Sequence, residues 1–233
     1  MATRYIGRTS DCWLRVKLDA GDIVSVPYGL KVNETGVVSG REHFEILEGV
    51  YKGKSASVTS RPGQSYLGQL THGPGATLRF DRAKQTLSFG SLGTFNAFSG
   101  GGHRGFTPVA AGKHLLAIPA YPSAQTRAAY GTWTKYHNLW FRIGTDVAGS
   151  RFLHPGAISD GCVTVRQFIY DPATGKPPPT GFSDLVGGAK SEPGLLGLPL
   201  PTVRAPPISW DKVVDALILR RARDQAVGEL VVT

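Results

Sequence analysis

The sequence predicts a mainly β fold with one helix near the C-terminus. The chain of 233 residues contains 30 glycines and 16 prolines, with 4 tryptophans, 8 tyrosines and 10 phenylalanines spread along its length. This composition favours many short strands and tight turns over long helices. Apolar residues make up 41% of the chain and charged residues 18%, as in an ordinary soluble globular protein that buries a core.

Short strand patterns separated by polar or glycine-containing turns fill the first part of the chain. The predicted strands are 13–18, 22–26, 30–32, 43–47 and 55–59. A break at 71–75 follows them. We therefore predict a small β-rich N-terminal domain over residues 1–72, either a small barrel or an extra β-layer, of unknown role.

The second predicted domain, residues 73–233, begins with strands and ends with a helix. Strand patterns occur at 77–80, 85–89, 114–118, 139–143 and 229–232. The glycine run at 99–102 is interpreted as a turn, because it matches no phosphate-loop spacing and no helix follows it. Nine prolines between Pro172 and Pro207 predict a long surface loop over 172–207.

The one predicted helix follows this loop. Ser209 is a suitable N-cap. The residues that would form its apolar face, at helical spacing, are Trp210, Val213, Val214, Leu217 and Ile218.

The net charge of the chain indicates which classes of partner it attracts. A formal net charge of +9 and a pI near 9.7 imply attraction to polyanions, which include nucleic acid, anionic membrane surfaces and the acidic polymers of bacterial cell walls. The 26 lysines and arginines are scattered, with one denser run at 220–223, which argues against nucleic acid. The first residues lack the apolar region of a secretory signal, and no stretch reaches the roughly 18 apolar residues of a membrane span. We therefore expect a soluble, unprocessed chain without membrane insertion.

A histidine and a cysteine lie close together in the sequence. Residues 151–154 have a strand pattern, Pro155-Gly156 is a turn signal, and 162–165 has the β-branched pattern of a returning strand. An antiparallel hairpin is therefore expected, in which His154 lies directly opposite Cys162. Directly opposed residues have Cβ atoms about 4.5 to 5.5 Å apart, within reach of a thiol–imidazole contact.

This pair has the chemistry of an activated nucleophile. Only the thiolate attacks, and an imidazolium from His154 would lower the pKa of the Cys162 thiol and later return the proton. Gly161 permits a backbone conformation closed to other residues, and the N–H groups of Gly161 and Cys162 are candidate oxyanion donors. The other cysteine, Cys12, is expected to be structural. The alternative is a Cys12–Cys162 disulfide.

Chain order excludes one class of cysteine enzyme. The six histidines all precede Cys162. Papain-like folds place the histidine well after the cysteine. The remaining alternative is that Cys162 is a small buried apolar residue and His154 a surface residue, with no shared chemistry.

These segments resemble the catalytic motif of the L,D-transpeptidase family, in which a His-Gly element precedes a Ser-x-Gly-Cys element. The matching segments are Phe152-Leu153-His154-Pro155-Gly156 and Ser159-Asp160-Gly161-Cys162-Val163. The resemblance covers about residues 76–233. Outside the motif it includes the opening hairpin at 77–89, an aromatic-Ser-Gly element at 95–100, a Thr-Pro strand entry at 107–114 and the C-terminal helix and strand.

The resemblance implies an L,D-transpeptidase-type β-sandwich or barrel with one C-terminal helix. The roles that it implies are Cys162 as nucleophile, His154 as base, Ser159, Asp160 and Gly161 as site-shaping residues, and His137 as a reserve base. The spacing of eight positions between His154 and Cys162 fits a short branch that resembles type VI secretion effectors. Thr164 stands where the family usually has arginine, and Asp160 where histidine is common.

The implied function is modification of peptidoglycan stem peptides through an acyl-enzyme on Cys162, with no metal and no cofactor. An amine acceptor gives a crosslink, a free D-amino acid gives exchange, and water gives L,D-carboxypeptidase activity. Such an antibacterial effector acts in the periplasm or extracellular wall, reaches it by non-classical export or after removal of a leader, and has a secretion or immunity partner protein. The alternative is a non-catalytic cell-wall-binding or structural protein that retains the fold.

Overall fold

The computed structural model describes residues 2–70, 73–100, 107–123, 134–144, 151–156, 159, 161–165, 210–222 and 225–233. The predicted proline-rich loop at 172–207 and the N-cap Ser209 lie outside these residues. The described residues are mainly β, as predicted, with a single α-helix.

Seven short strands form the N-terminal sheet. They are β1 (Ala2–Ile6), β2 (Trp13–Leu18), β3 (Ile23–Pro27), β4 (Lys31–Val38), β5 (Arg41–Ile46), β6 (Ser55–Thr59) and β7 (Leu67–Gly68). The sheet order is β3-β2-β6-β5-β4-β1-β7, and every pair in it is antiparallel. Alternate side chains point to opposite faces of a strand, and one face of this sheet buries an apolar cluster that includes Val16, Phe44 and Ile46.

The remaining strands close into a barrel. They are β8 (Ala76–Asp81), β9 (Thr86–Phe89), β10 (Gly93–Phe98), β11 (Gly112–Ala117), β12 (Phe141–Ile143), β13 (Arg151–Pro155), β14 (Val163–Val165) and β15 (Ala226–Val232). The order around the barrel is β10-β14-β13-β12-β11-β15-β8-β9. The pairs β8–β15 and β13–β14 are parallel, and the other pairs are antiparallel.

The helix α1 (Trp210–Leu219) packs against the barrel core with the face that its spacing predicts. All five predicted residues of that face are buried. The indole N–H of Trp210 donates to the carbonyl of Tyr136 over 3.1 Å, which fixes the start of the helix against the segment before β12. No helix in the described ranges is long and apolar enough to cross a lipid bilayer.

The N-terminal sheet and the barrel share a buried junction. Cys12, Trp13 and Tyr28 from the first part of the chain belong to the same apolar cluster as the barrel core. Next to them, Arg221 is fully buried and holds both carboxylate oxygens of Glu48, at 2.8 and 2.9 Å. A buried guanidinium needs such a partner, because an isolated charge in the interior is costly.

This junction lies at the end of the barrel where β11 finishes and β15 begins. Ile118, just after β11, donates its backbone N–H to the carbonyl of Gln225 over 3.0 Å. Cys162 precedes β14, whose residues Val163 and Thr164 pair with Leu153 of β13 and Phe98 of β10.

Candidate active site

The strands that carry the predicted pair run parallel. Leu153 pairs with Val163, His154 with Thr164, and Pro155 with Val165. The predicted antiparallel hairpin is therefore wrong, and His154 does not lie opposite Cys162. The reason is that Pro155 is not a turn residue but the last residue of β13, and the chain leaves the sheet only after Gly156, whose N–H still donates to Val165 over 3.3 Å.

The pair nevertheless shares one face of the barrel. Leu153, Val163 and Val165 belong to the interior cluster. Because side chains alternate along a strand, the residues between them, His154 and Thr164, point outward. Cys162 immediately precedes Val163 and does not belong to the interior cluster, so its side chain leaves on the outer side as well.

Two rows of side chains cross this outer face. Continuing the register of β13 and β14 by one residue places Cys162 beside Phe152, and the Phe152 N–H lies 3.4 Å from Sγ of Cys162. Phe152 in turn pairs with Arg142 on β12. In the second row, Thr164 pairs with His154, and Trp140 stacks on the His154 ring. We call these six residues the outer-face cluster: Trp140, Arg142, Phe152, His154, Cys162 and Thr164.

The hydrogen bonds of His154 define its tautomer. Nδ1 lies 3.0 Å from the carbonyl oxygen of Pro155, which can only accept, so Nδ1 carries the proton. Nε2 therefore accepts a hydrogen bond from the Thr164 hydroxyl, over 3.1 Å. The ring lies 3.9 Å from the Trp140 ring, at an interplanar angle of 14°. These contacts hold the imidazole in one orientation.

The resting imidazole is neutral. Burial lowers the pKa of His154 to about 4, and the hydrogen bond to Pro155 opposes this effect. An imidazolium that lowers the pKa of the thiol, as expected from the sequence, is therefore disfavoured near neutral pH. A neutral ring is the form that accepts a proton, so His154 has the protonation state of a general base.

The segment before β14 fixes the backbone of Cys162. The Ser159 hydroxyl donates to the Cys162 carbonyl over 2.6 Å. Gly161 has a φ of 78°, a left-handed conformation that favours glycine. Ser159 and Gly161 thus shape the turn before the cysteine, and their part in a site stays a prediction. Asp160 between them lies outside the described residues.

The Gly161 N–H is not available as an oxyanion donor, because it donates to the Gly100 carbonyl over 3.0 Å. This removes one of the two donors suggested by the sequence, and the Cys162 N–H stays a prediction. Gly100 approaches the same turn closely: a Cβ on it would lie 2.6 Å from the Ser159 carbonyl oxygen. The sequence predicts only a turn at Gly100. Its position next to Ser159 follows from the pairing of β10 with β14.

His137, the reserve base, lies next to Trp140 of the outer-face cluster. His137 has Nδ1 at 3.2 Å from the Thr134 carbonyl, and its own carbonyl accepts the indole N–H of Trp140 over 2.8 Å. It therefore contacts the residue that stacks on His154. Trp140 and Arg142 were not anticipated as site residues, although both belong to the predicted strand at 139–143.

Both cysteines are buried and no disulfide joins them, so the disulfide alternative is excluded. Cys12 belongs to the junction cluster, and burial raises the pKa of its thiol strongly. It is an inert structural residue, as expected. Within the described residues, no group of three or more His, Cys, Asp or Glu side chains is arranged to hold a metal ion.

Comparisons with known proteins do not assign this chain to a family. No protein-family model and no curated protein match the chain. A solved structure to which it is similar is the X-ray crystal structure of an L,D-transpeptidase from Mycobacterium tuberculosis H37Rv, at 10% identity and a TM-score of 0.31, over 88% of this chain and 80% of that chain. A TM-score this low does not assign the chain to a family. The fold class rests on the strands described above.

Proposed function

We propose that this protein is a peptidoglycan-modifying cysteine enzyme that acts on stem peptides, with residues 73–233 as its catalytic domain. The observation that supports the proposal is the outer-face cluster, in which a cysteine and a neutral, hydrogen-bonded histidine occupy neighbouring strands on one face of the barrel. The residue types agree with the motif in the sequence.

The proposed reaction begins with proton transfer from the Cys162 thiol to Nε2 of His154. The sulfur attacks the carbonyl carbon of the third stem-peptide residue, and a C–S bond forms. The C–N bond to the terminal D-amino acid then breaks, and that amine leaves with the proton from His154. The product is a thioester on Cys162.

The acceptor decides the outcome. An amine from another stem peptide gives a crosslink, a free D-amino acid gives exchange, and water gives carboxypeptidase activity. In each case the acceptor gives up a proton as it attacks the thioester carbon, and the thiolate leaves and is protonated again, so the enzyme returns to its starting state.

The hydrogen bond between Thr164 and His154 must break during this cycle. The Thr164 hydroxyl occupies the one lone pair of His154 that can receive a proton, at Nε2. Proton transfer from Cys162 requires that this hydroxyl give up its hydrogen bond when substrate enters. The resting structure is therefore an inactive arrangement that substrate binding rearranges.

The positive charge of the chain is consistent with an anionic wall polymer as the substrate. We propose that the protein acts in the periplasm or the extracellular wall as an antibacterial effector, with a secretion or immunity partner. The N-terminal sheet shares its buried junction with this barrel.

Digestion of purified peptidoglycan tests the proposal. Wild-type protein should change the stem-peptide profile, Cys162→Ala should not, and Cys12→Ala should behave as wild type. Cys12→Ala is the matched control because it also deletes a thiol, but one that belongs to the junction and not to the outer-face cluster. Identical stem-peptide profiles for wild type and Cys162→Ala would contradict the proposed enzymatic function.

The second candidate is a non-catalytic wall-binding protein. Two observations favour it: His154 is only 4% exposed, and its Nε2 accepts a hydrogen bond from the Thr164 hydroxyl. This candidate predicts that Cys162→Ala cosediments with insoluble peptidoglycan as wild type does, while neither protein alters the stem peptides.

A further inference from the structure

The Trp140 ring, which stacks on the His154 ring, is held by the turn that precedes β12. The two ring centroids lie 3.9 Å apart, at an interplanar angle of 14°. The indole N–H of Trp140 donates to the carbonyl of His137 over 2.8 Å. We call residues 134–139, which include this carbonyl, the 134–139 turn. The plane of the indole ring, which covers the imidazole, therefore depends on the backbone of this turn.

The first residues of α1 hold the 134–139 turn by three hydrogen bonds. The indole N–H of Trp210 donates to the carbonyl of Tyr136 over 3.1 Å. The Tyr136 N–H donates to Oδ1 of Asp211 over 3.2 Å, and the Thr134 hydroxyl donates to the same oxygen. These hydrogen bonds join positions that are 74 to 77 residues apart in the sequence. The helix therefore fixes where the turn lies.

Asp211 provides the strongest of these contacts, because hydrogen bonds to a carboxylate are roughly twice as strong as those between neutral groups. An acidic side chain in the first turn of a helix also interacts favourably with the helix dipole. That interaction alone would make Asp211 a residue that stabilises α1. Its Oδ1, however, accepts two hydrogen bonds from Thr134 and Tyr136. The carboxylate therefore also sets the position of the turn relative to the helix.

Asp215 occupies the same side of α1 one turn later, but its carboxylate has a different partner. Residues four apart lie on one face of a helix. Asp215 forms an ion pair with the exposed guanidinium of Arg8, which lies between β1 and β2. Asp215 thus matches Asp211 in residue type and in helix face, while its ion pair holds the N-terminal part of the chain.

The Trp140 ring contributes to the burial that keeps His154 neutral. Burial is the larger influence on the pKa of His154, which it lowers to about 4. The charged and titratable side chains on the same face, Arg142 and Cys162, stand in the neighbouring row. A displaced indole would admit water to the imidazole, and the pKa would rise because the charged form would be solvated. A shift of the 134–139 turn would therefore change both the orientation and the protonation of the ring.

We propose that Asp211 is a positioning residue for His154. Its hydrogen bonds fix the 134–139 turn, and that turn holds the Trp140 ring against the imidazole. The helix α1 therefore does more than cover the barrel core, because it sets the orientation of the candidate base. The expected effect on turnover rests on the proposed function, whereas the effect on the imidazole is measurable without any substrate.

The test measures the pKa of His154 by NMR titration of isotope-labelled histidine, with the signal assigned by its absence in His154→Gln. Asp211→Ala should raise this pKa from about 4 toward the ordinary value of 6.5. It should also lower kcat on a stem tetrapeptide by about 10- to 100-fold with little change in KM, because a misplacement of about 1 Å costs that much. Asp211→Asn keeps an acceptor oxygen and should stay near wild type in both measurements.

Asp215→Ala is the matched control, because it removes a carboxylate from the same face of α1. It should leave both the pKa of His154 and kcat unchanged. A lower free energy of unfolding in Asp211→Ala, with the pKa of His154 still near 4, would overturn the positioning role. An equal rise of the pKa in Asp215→Ala would overturn it as well, and so would an effect of Asp211→Asn as large as that of Asp211→Ala.

Thr134→Val serves as a second variant where Asp211→Ala does not fold. It keeps the shape of Thr134 and removes one of the two donors to Asp211, so the pKa of His154 should rise by a smaller amount. An unchanged pKa in a folded Thr134→Val protein would overturn the proposal. Wild type that leaves the stem tetrapeptide intact would contradict the proposed function alone, because the titration of His154 needs no substrate.

Discussion

The junction and the outer-face cluster handle buried polar groups in opposite ways. At the junction, the Arg221 guanidinium is fully buried and donates two hydrogen bonds to the Glu48 carboxylate. In the outer-face cluster, Arg142 has no carboxylate among the described residues, and His154 is held neutral by burial. The compensated charge at the junction is part of the buried packing, whereas the titratable ring near a thiol is the feature on which the proposed function depends.

The largest expected effect is on catalysis, from His154. His154→Gln should lower kcat by about 10²- to 10⁴-fold, because a general base contributes that much. His137→Ala should stay near the wild-type rate, since the His137 imidazole contacts the Thr134 carbonyl through Nδ1 and the backbone carbonyl that holds Trp140 is kept. The rates are measured on a stem peptide, with circular dichroism as a check of folding. The reverse pattern would make His137 the base.

The next effect is on stability, from the junction. Glu48→Ala leaves the Arg221 charge buried without its partner, so the free energy of unfolding should fall by about 3 to 5 kcal/mol. The matched control is Glu34→Ala, which breaks the half-exposed ion pair with Arg4. That change should cost less than about 1 kcal/mol. Urea unfolding measures both, and equal losses would contradict the distinction between the two pairs.

The pH dependence of stability tests the neutral state of His154. The unfolded ring has an ordinary pKa near 6.5 and the folded ring a pKa of about 4, so the unfolded chain binds more protons between these values. Stability should therefore fall as the pH drops from about 6.5 to 4, by roughly 3 kcal/mol in total from this residue.

His154→Gln should lack this part of the loss, which urea unfolding at pH 7 and at pH 4.5 measures. The same pKa places the acid limb of activity near pH 4. An acid limb of the activity profile near pH 6.5 would show that the His154 ring is exposed to solvent in the working enzyme.

The smallest effect concerns the hydroxyl that holds Nε2. Thr164→Val keeps the shape of this fully buried residue but removes the donor to His154. It should lower the free energy of unfolding by about 1 kcal/mol or somewhat more, whereas Thr164→Ser, which keeps the hydroxyl, should retain that hydrogen bond. If Val is the less harmful of the two changes, the methyl group of Thr164 matters more than its hydroxyl.

The sequence predicts the local features of the fold well. The strands Trp13–Leu18 and Ser55–Thr59 and the buried face of α1 are as expected. Each depends on a pattern within one segment: alternation, β-branched residues or helical spacing. The strands β1 and β10 were not anticipated. The segment of β10 includes Gly93 and Asn96, which are depleted in strands, and it is held by its neighbours β9 and β14.

The site is less predictable because it depends on pairing between distant segments. The parallel register of β13 and β14 is set in a barrel where β12 and β10 flank them, and no local signal encodes it. The motif predicts Cys162, His154, Ser159 and Gly161 as site residues. It does not identify Arg142, whose position beside Phe152 follows only from the register of β12.

Mass spectrometry of the protein mixed with a stem tetrapeptide tests the nucleophile most directly. After an acid quench, wild type and Cys12→Ala should carry the mass of the acylated tripeptide, on the proteolytic fragment that contains Cys162. Cys162→Ala should carry none. An unmodified Cys162 fragment, in a sample where the stem peptide is nevertheless shortened, would contradict an acyl-enzyme on this cysteine.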